Sequence, residues 1–243
     1  MIAALILGRQ GSVGFPGKNT MDVLGHPLMA YPLMAANESK YVDKVFVSTD
    51  SPEIKAIGER HGAIYIERPA ELCTKTALGE DAYRHGYNWI KEHYPSEEIE
   101  LLVLLFCNAP TISGALIDEG IEALRSKPEI DSAVTVSVYN MWSPLRARKL
   151  DKDGLLIPFV PFETFGDPKT LNCDRDSQGD VFFADMGTSI VRPRCFEHME
   201  DGLLPQKWMG KKIYPIKNWG GLDVDFEFQV PQAEFWIKKK GKK

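Results

Sequence analysis

Two cations flank a glycine-rich loop near the start of the chain, in the segment R-Q-G-S-V-G-F-P-G-K-N. Arg9 begins the loop and Lys18 follows its last glycine. Glycine lets a backbone approach a ligand closely and point its N–H groups at one anion. Arginine binds two phosphate oxygens at once, whereas lysine supplies a compact point charge. The loop therefore has the composition of an anion site, although a solvent-exposed connection with two surface cations would have the same residues.

The spacing of the glycines excludes two common nucleotide-binding motifs. A Walker A loop needs G-x-x-x-x-G-K-[ST], but Ser12 stands where the first glycine belongs and Asn19 where Ser or Thr should hold magnesium. A dinucleotide fingerprint needs G-x-G-x-x-G, whereas the glycines here recur at every third position from Gly8 to Gly17. What remains is a set of backbone donors and two fixed cations, which suit the charges of a nucleoside triphosphate.

The elements that must hold this loop alternate between strands and helices. Apolar runs predict strands at residues 2–7, 44–48, 63–67, 101–106, 132–138, 188–191 and 212–216. Helical patterns are found at residues 28–39, 51–61, 80–92, 113–124 and 230–237. Single helices between strands imply right-handed βαβ units. The sequence therefore predicts an α/β fold with a Rossmann-like, doubly wound, mostly parallel sheet, which binds ligands at the carboxyl ends of its strands.

Residues 139–185 interrupt this alternation. They mix P-F-V-P-F-E-T-F-G-D-P with scattered charges. Proline, glycine and aromatic residues in such a stretch indicate an excursion from the sheet, either a small lobe or a dimerisation arm. We therefore predict a single domain over residues 1–243 with an inserted excursion at 139–185, which is a candidate dimerisation arm, and we expect a homodimer.

Composition limits the classes of partner and compartment. The net charge of −5 gives no support to nucleic-acid binding. The four cysteines form no C-x-x-C pair and no zinc-type spacing with histidine, so we expect free thiols in a reducing compartment. The apolar run at residues 2–7 is too short for a membrane span or a signal peptide. We expect a cytoplasmic protein without a membrane partner, and we interpret the basic end K-K-K-G-K-K as a solvated tail.

The opening loop is the first of several motifs that occur in the same order in one known family. The others are L-G-H-P-L-M-A-Y, V-F-V-S-T-D-S-P-E-I, I-E-R-P-A-E-L and L-D-V-D-F-E-F. Together they resemble the acylneuraminate cytidylyltransferases, which are the CMP-sialic acid synthetases and their relatives for other nonulosonic acids and, more distantly, Kdo. The family loop is R-x-G-S-K-G-x-P-x-K-N, and Val13 replaces the first of its two lysines. The resemblance is strong over residues 2–72, returns at 223–235 and is weak between them.

The resemblance implies a fold of the nucleotide-diphospho-sugar transferase type and a magnesium-dependent reaction. CMP would pass from CTP to a hydroxyl group of a small acidic acceptor, with release of pyrophosphate. Arg9 and Lys18 would bind the triphosphate, and Asn19 and Arg68 would hold the cytidine. Asp50, which ends the second predicted strand, either faces the active site or begins the next helix. The residues assigned to the substrates by their motifs are Arg9, Gly11, Ser12, Lys18, Asn19, Asp50, Arg68 and Lys75.

Asp223 and Asp225 are the metal ligands that the resemblance implies. In an extended segment, residues two apart project to one face, so Val224 between them would point to the other. Two carboxylates on one side can bind Mg2+ that also carries phosphate oxygens. The alternative is an acidic loop before a helix, because aspartates are favourable near a helix N-terminus.

The chain departs from the family where acceptor recognition is expected. In L-L-F-C-N-A-P, Phe106 replaces the glutamine of the family's L-L-Q-P-T-S-P, and Lys75 stands where an aspartate is common. An aromatic ring cannot replace the hydrogen bonds of an amide to a polyhydroxyl acceptor, which argues against sialic acid. Extra cations suit a strongly anionic acceptor, such as another keto-deoxy acid or a phosphonate, unless they are ordinary surface residues. They are Lys75, Arg146, Arg148 and Arg175.

Two other functions are compatible with these motifs. A nucleotide-sugar glycosyltransferase can share this fold and use a D-x-D metal site, although the loop from Arg9 to Lys18 fits an intact triphosphate better. A degenerate relative that only binds CTP or CMP is suggested by Val13 and Phe106. The presence of Arg9, Lys18 and the acidic pair argues against the second alternative.

Overall fold

A computed structural model describes residues 1–11 and 14–240 of the chain. Its central sheet consists of β1 (Ile2–Leu7), β2 (Lys44–Thr49), β3 (Ile64–Glu67), β4 (Leu101–Phe106), β5 (Ser132–Val138), β6 (Phe182–Val191) and β7 (Ile213–Lys217). The α-helices are α1 (Ala30–Glu38), α2 (Pro52–Arg60), α3 (Gly79–His93), α4 (Gly114–Ser126), α5 (Arg194–Glu197) and α6 (Val230–Lys240). Two short antiparallel ribbons pair Asp22–Val23 with His26–Pro27 and Arg148–Leu150 with Leu156–Pro158.

The order of the strands places β1 at the centre of the molecule. The sheet runs β7-β5-β6-β4-β1-β2-β3, and β6 alone among these strands is antiparallel to its neighbours. The predicted doubly wound, mostly parallel sheet is therefore confirmed. The chain proceeds outward from β1 to β3 on one side and from β4 on the other, so the order reverses between β1 and β4. Loops that leave the carboxyl ends of these two strands diverge there and open a crevice for a ligand.

The side chains of β1 divide the core into two layers. Ile2, Ala4 and Ile6 pack with apolar residues of α1, α2 and α4 on one face of the sheet. Ala3, Leu5 and Leu7 pack with α3 and α5 on the other face. All six residues of β1 are buried, which explains the unbroken apolar run of its sequence.

Serine residues begin the two helices that follow β2 and precede β5. The hydroxyl of Ser51 accepts a hydrogen bond from the backbone N–H of Ile54, and Pro52 occupies the first helical position of α2. The hydroxyl of Ser113 accepts in the same way from Leu116 at the start of α4. These caps fix where the chain turns from the sheet edge into each helix.

The excursion is shorter than the sequence predicts. It consists of the second ribbon and several 3-10 turns, but β6 begins at Phe182, so residues 182–185 belong to the sheet. Phe182 and Phe183 pair with Val138 and Ser137 of β5, and their exposed aromatic rings made the segment resemble a loop. An irregularity between Ala184 and Ser189 separates this pairing from the predicted part of the strand.

Within residues 1–11 and 14–240, no helix has the length and apolar character needed to cross a lipid bilayer.

The contact between α1 and α4 leaves no space for a methyl group at Gly114. A Cβ atom there would lie 2.8 Å from the backbone carbonyl carbon of Glu38 and 2.9 Å from the backbone nitrogen of Ser39. We expect Gly114→Ala to lower the free energy of unfolding by about 1–3 kcal/mol, because backbone atoms must move apart. Urea denaturation measures this change.

Gly79 is the matched control, because it also occupies the first position of a helix and a Cβ atom there would meet nothing within 4 Å. Gly79→Ala should leave the free energy of unfolding unchanged or raise it by up to about 1 kcal/mol. Equal effects of the two substitutions would contradict the steric explanation.

Candidate active site

A cleft of about 390 Å³ lies at the carboxyl ends of β1 and β4. Its walls include five residues that the sequence assigned to a site, namely Arg9, Lys18, Asn19, Arg68 and Asp225. They come from the loop after β1, the end of β3 and the segment before α6. A larger groove of about 1050 Å³ lies between α1, α4 and α6, and its described walls contain none of the predicted site residues.

Lys18 and Asp225 form the contact that joins the two ends of the chain. The Lys18 side chain is buried and its Nζ donates a hydrogen bond to Oδ1 of Asp225, whose own side chain is 52% exposed. The turn that aims Lys18 inward contains Gly17 at a φ of 76°, a conformation that favours glycine. Thr20 N donates to the Gly17 carbonyl at 3.1 Å, which closes the turn on the other side of Lys18.

Asn108 is a site residue that the sequence prediction missed. Its Nδ2 donates to Oδ1 of Asp225 at 3.2 Å, to Oδ2 of Asp223 at 3.4 Å and to the carbonyl of Val224 at 3.3 Å. Its backbone carbonyl accepts from Val224 N at 2.8 Å. A polar residue two positions after a fully apolar strand was the available signal, because β4 ends at the switch point of the sheet.

The segment before the acidic pair is fixed by hydrogen bonds to the sheet. Leu222 N donates to the Thr111 hydroxyl at 2.8 Å, and that hydroxyl donates back to the Leu222 carbonyl at 2.9 Å. Gly221 N donates to the Ser137 hydroxyl at 2.9 Å, and the Tyr139 hydroxyl donates to the Gly221 carbonyl at 2.7 Å. The position of Asp223 is thus determined by residues at the ends of β4 and β5.

Val224 points away from the cleft, as the alternation predicted. It is fully buried and packs with Val23, Leu28 and Ala233 in a small apolar cluster. On the far side, Gln229 Oε1 accepts from the backbone N–H of Asp225 at 2.8 Å. The packing of Val224 therefore holds the acidic segment on one face, and the carboxylates of Asp223 and Asp225 lie on the opposite face.

Burial and like charge make Asp223 unusual. Burial raises the pKa of Asp223, the charge of Asp225 raises it further, and Lys18 and Asn108 lower it in part. One amide group reaches both carboxylates, so the two negative charges lie close together. Such a pair is stabilised by a cation placed between its oxygens.

Arg68 is fixed against the end of β2. It is buried, and its guanidinium donates from Nε to the Ser48 hydroxyl at 3.2 Å and from Nη2 to the Ser48 carbonyl. Burial lowers the pKa of Arg68, an effect that Cys73, Cys107 and Asp50 oppose. A buried guanidinium held by neutral groups leaves unused donors for a ligand in the cleft.

Asn19 contributes a buried polar atom without a partner. Its Oδ1 makes no hydrogen bond to any described residue, while its backbone carbonyl accepts from Met29 N at 2.9 Å. Buried polar atoms are almost always hydrogen-bonded in folded proteins. Because Asn19 lines the cleft, this atom is available to a ligand there.

The remaining predicted residues have varied positions. Asp50 supports the loop, because its Oδ1 accepts from Gln10 N at 2.8 Å, while the helix after it is capped by Ser51. Gly11 is exposed at a φ of 76°, and Lys75 is exposed and is absent from the cleft wall. Two predicted loop positions, Ser12 and Val13, lie outside the described residues.

Phe106 forms part of the cleft wall and packs edge-on against Tyr83, with ring centroids 5.4 Å apart. The three extra arginines lie on the excursion, away from the described wall of the cleft. Arg146 donates to the Cys173 carbonyl, Arg148 to the Leu145 carbonyl, and Arg175 to Asp176.

Comparison with known proteins decides the family. A family model described as Cytidylyltransferase matches residues 3–152, which is more than half of the chain. The chain belongs to the cytidylyltransferase family. The match includes the opening loop, Arg68 and Asn108.

Two curated relatives are N-acylneuraminate cytidylyltransferases, which confirms the resemblance. The one from Oncorhynchus mykiss is 45% identical over 241 residues, covering 99% of this chain and 51% of that protein. The one from Escherichia coli O18:K1:H7 is 31% identical over 150 residues, covering 62% of this chain and 34% of that protein. The chain therefore spans about half the length, or less, of these relatives.

A solved structure shares the cytidylyltransferase fold found here. CMP:2-keto-3-deoxy-manno-octonic acid synthetase, solved in complex with CTP, aligns with a TM-score of 0.68 and 14% sequence identity. The alignment covers 98% of this chain and 99% of that one. The fold is thus common to both proteins across nearly their whole length.

The position of Asp223 leads to a prediction about stability. Folding raises the pKa of the Asp223 carboxyl group, so its ionised form destabilises the folded state. This destabilisation decreases as the pH falls below the raised pKa, and it is gone below the pKa of the unfolded chain, about 3.9. We expect Asp223→Asn to raise the free energy of unfolding at pH 7 in metal-free buffer, and the gain to vanish below about pH 4. Urea denaturation at several pH values tests this.

Asp153→Asn serves as the control, since Asp153 is exposed in the ribbon of the excursion. It should leave the free energy of unfolding unchanged across this range of pH. A loss of stability in Asp223→Asn at pH 7 would show that its hydrogen bond with Asn108 outweighs the repulsion.

Proposed function

We propose that this chain transfers CMP from CTP to a hydroxyl group of a small acidic acceptor and releases pyrophosphate. The observation that carries the proposal is the contact between Lys18 and Asp225. It brings a loop suited to a triphosphate against an acidic pair suited to a metal ion. The family, and the fold shared with a synthetase that binds CTP, support CTP as the donor.

The residues of the cleft divide between the two parts of the nucleotide. Arg9 and Lys18 bind the triphosphate, helped by backbone donors near Gly11. Asn19 and Arg68 hold the cytidine, because they offer an unpaired buried acceptor and unused guanidinium donors at the same wall. Recognition by such groups discriminates well, since a wrong base leaves buried polar atoms unpaired.

The acidic pair fits Mg2+. Asp223 and Asp225 offer hard carboxylate oxygens within reach of one amide group, and burial with like charge favours a cation there. When bound, the metal would neutralise charge at the α-phosphate and ease departure of pyrophosphate. Asn108 donates to both carboxylates, and Lys18 places a positive charge on Asp225 at the cleft wall.

The acceptor is a nonulosonic acid, another keto-deoxy sugar acid or a different anionic acid. Phe106 presents an aromatic ring to the cleft, which still argues against the hydrogen-bonded recognition of sialic acid. The named relatives act on N-acylneuraminate, and the structural neighbour on 2-keto-3-deoxy-manno-octonic acid, by their descriptions. The shared feature of these compounds is a carboxylate on a polyhydroxyl chain.

The two alternatives make different demands on the site. A glycosyltransferase would act on a nucleotide diphosphate sugar, and the family match favours a cytidylyltransferase instead. A protein that only binds CTP would need no acidic pair, yet Asp223 and Asp225 are held by an elaborate set of hydrogen bonds.

Pyrophosphate release tests the proposed function. The protein is incubated with CTP, Mg2+ and a panel that contains N-acetylneuraminate, other nonulosonic acids, Kdo and simple phosphonates. We expect pyrophosphate to appear with CTP and at least one acid, and a CMP conjugate of that acid to be found by mass spectrometry. Binding of CTP in calorimetry without turnover would favour the binding protein, and release from UDP-sugars alone the glycosyltransferase.

Variants of the cleft test the same assignment. Lys18→Ala and Asp225→Ala should each lower turnover by at least about a hundredfold, or roughly 3 kcal/mol of transition-state stabilisation. Lys127→Ala is the control, because Lys127 is exposed after α4 and absent from the cleft wall. Near-normal turnover in either cleft variant would remove that residue from the mechanism.

We also propose that the excursion forms a homodimer contact. It exposes large apolar side chains that a water-facing loop does not need, among them Met141, Trp142, Leu150, Leu156 and Phe159. Light scattering at micromolar concentration should give the mass of two chains, and Trp142→Glu with Leu156→Glu should give one. A monomeric unmodified protein would reject this proposal.

The four cysteines are unpaired, which supports a reducing compartment such as the cytoplasm.

A further inference from the structure

One oxygen of the acidic pair already has a cation. Oδ1 of Asp225 accepts hydrogen bonds from the ammonium of Lys18 and from the amide of Asn108. Asp223, by contrast, receives only the Asn108 amide among the described side chains. The two carboxylates of the pair therefore have different hydrogen-bond partners within the protein.

Lys18 depends on this contact in the nucleotide-free enzyme. Its side chain is 9% exposed, and Asp225 is its only ion-pair partner within the described residues. A buried ammonium without a counter-charge is strongly unfavourable, so Lys18 remains on Asp225 until another anion replaces it. A triphosphate in the cleft is such an anion, because it carries several charges and Lys18 lines the same wall.

A divalent cation and an ammonium compete for the same carboxylate. Both are positive, and at contact distance they repel each other across Oδ1 of Asp225. A metal ion that binds Oδ1 of Asp225 in the free enzyme displaces Lys18 and leaves it buried without a partner. A metal ion that binds after the triphosphate is not repelled by Lys18, because the phosphates then bind the Lys18 ammonium.

We propose that Lys18 neutralises Asp225 in place of the metal ion in the free enzyme. The triphosphate then binds Lys18, which breaks the ion pair and makes Asp225 available to the metal ion. The inference rests on the proposed function, since it concerns the same CTP site. Nucleotide and metal then bind with positive coupling, and each raises the affinity of the other by the same factor.

Direct binding of Mn2+ to the free enzyme tests the first half of the exchange. The full chain without nucleotide is titrated with Mn2+ and the unbound ion is followed by electron paramagnetic resonance. Lys18→Met should bind Mn2+ at least about fivefold more tightly than the unmodified chain, the scale of a partly buried ion pair. Arg9→Met removes a cation of the same cleft that forms no ion pair with the acids in the described residues, and should change the affinity less than about twofold.

Binding of CTP without metal tests the second half. With EDTA present, Asp225→Asn should bind CTP more tightly than Asp223→Asn, by about threefold or more, because only Asp225 holds Lys18 back. Both substitutions remove one charge from the acidic pair, so their difference isolates the ion pair from general repulsion of the phosphates. Melting temperatures of all four variants show that each is folded.

The outcomes separate this inference from the function on which it rests. An unmodified chain that binds no CTP, with or without Mn2+, would reject the proposed function itself. An unmodified chain that binds CTP, while Lys18→Met gains no more Mn2+ affinity than Arg9→Met, would reject the exchange alone. Equal CTP affinities of Asp225→Asn and Asp223→Asn would also overturn it.

Discussion

The ion pair between Lys18 and Asp225 is the interaction on which the cleft depends. It joins a loop at the start of the chain to a segment near its end, across a sequence separation of 207 residues. Neither partner lies in a regular strand, so the sheet cannot hold them together by backbone pairing. The sheet instead places their anchors side by side. β1 delivers the loop, while the ends of β4 and β5 fix the acidic segment through Asn108, Thr111 and Tyr139.

This arrangement places function and stability in opposition at one residue. Burial and the charge of Asp225 raise the pKa of Asp223 and so favour its neutral form. The packing of Val224 and the hydrogen bonds of Leu222 hold Asp223 in place against this cost. Strain of this kind is common where a protein prepares a site for a charged ligand. In the proposed function, the positive charge of a bound Mg2+ would compensate for this unfavourable carboxylate.

The sequence predicted strands and side-chain orientation best where the hydrophobic pattern had one physical explanation. The boundaries of β1 and β4 agree with the sequence, because a short, continuous apolar run is typical of a strand buried on both faces. The turn of Val224 away from the cleft followed from simple alternation. The meeting of Lys18 with Asp225 was implied by motifs of a family, and no local feature of either segment required it.

What could not be predicted depends on contacts between distant segments. Phe182 and Phe183 are exposed aromatic residues, and only their pairing with β5 identifies them as part of a strand. Asn108 acts through carbonyl and carboxylate groups more than a hundred residues away, so its own neighbours in sequence gave little information. Asp50 was equally ambiguous, since its bond to the Gln10 backbone depends on how β1 and β2 align.

The two ends of the excursion leave the sheet from neighbouring positions, because Phe182 pairs with Val138 across β5 and β6. The intervening chain is therefore a closed appendage, and the distance between its attachment points does not change with its length. Insertions and deletions within it can accumulate at small entropic cost, without altering the register of the sheet or the place of the acidic segment. Descendants of this protein could thus exchange surface partners by remodelling one appendage while the chemistry at the crevice is inherited intact.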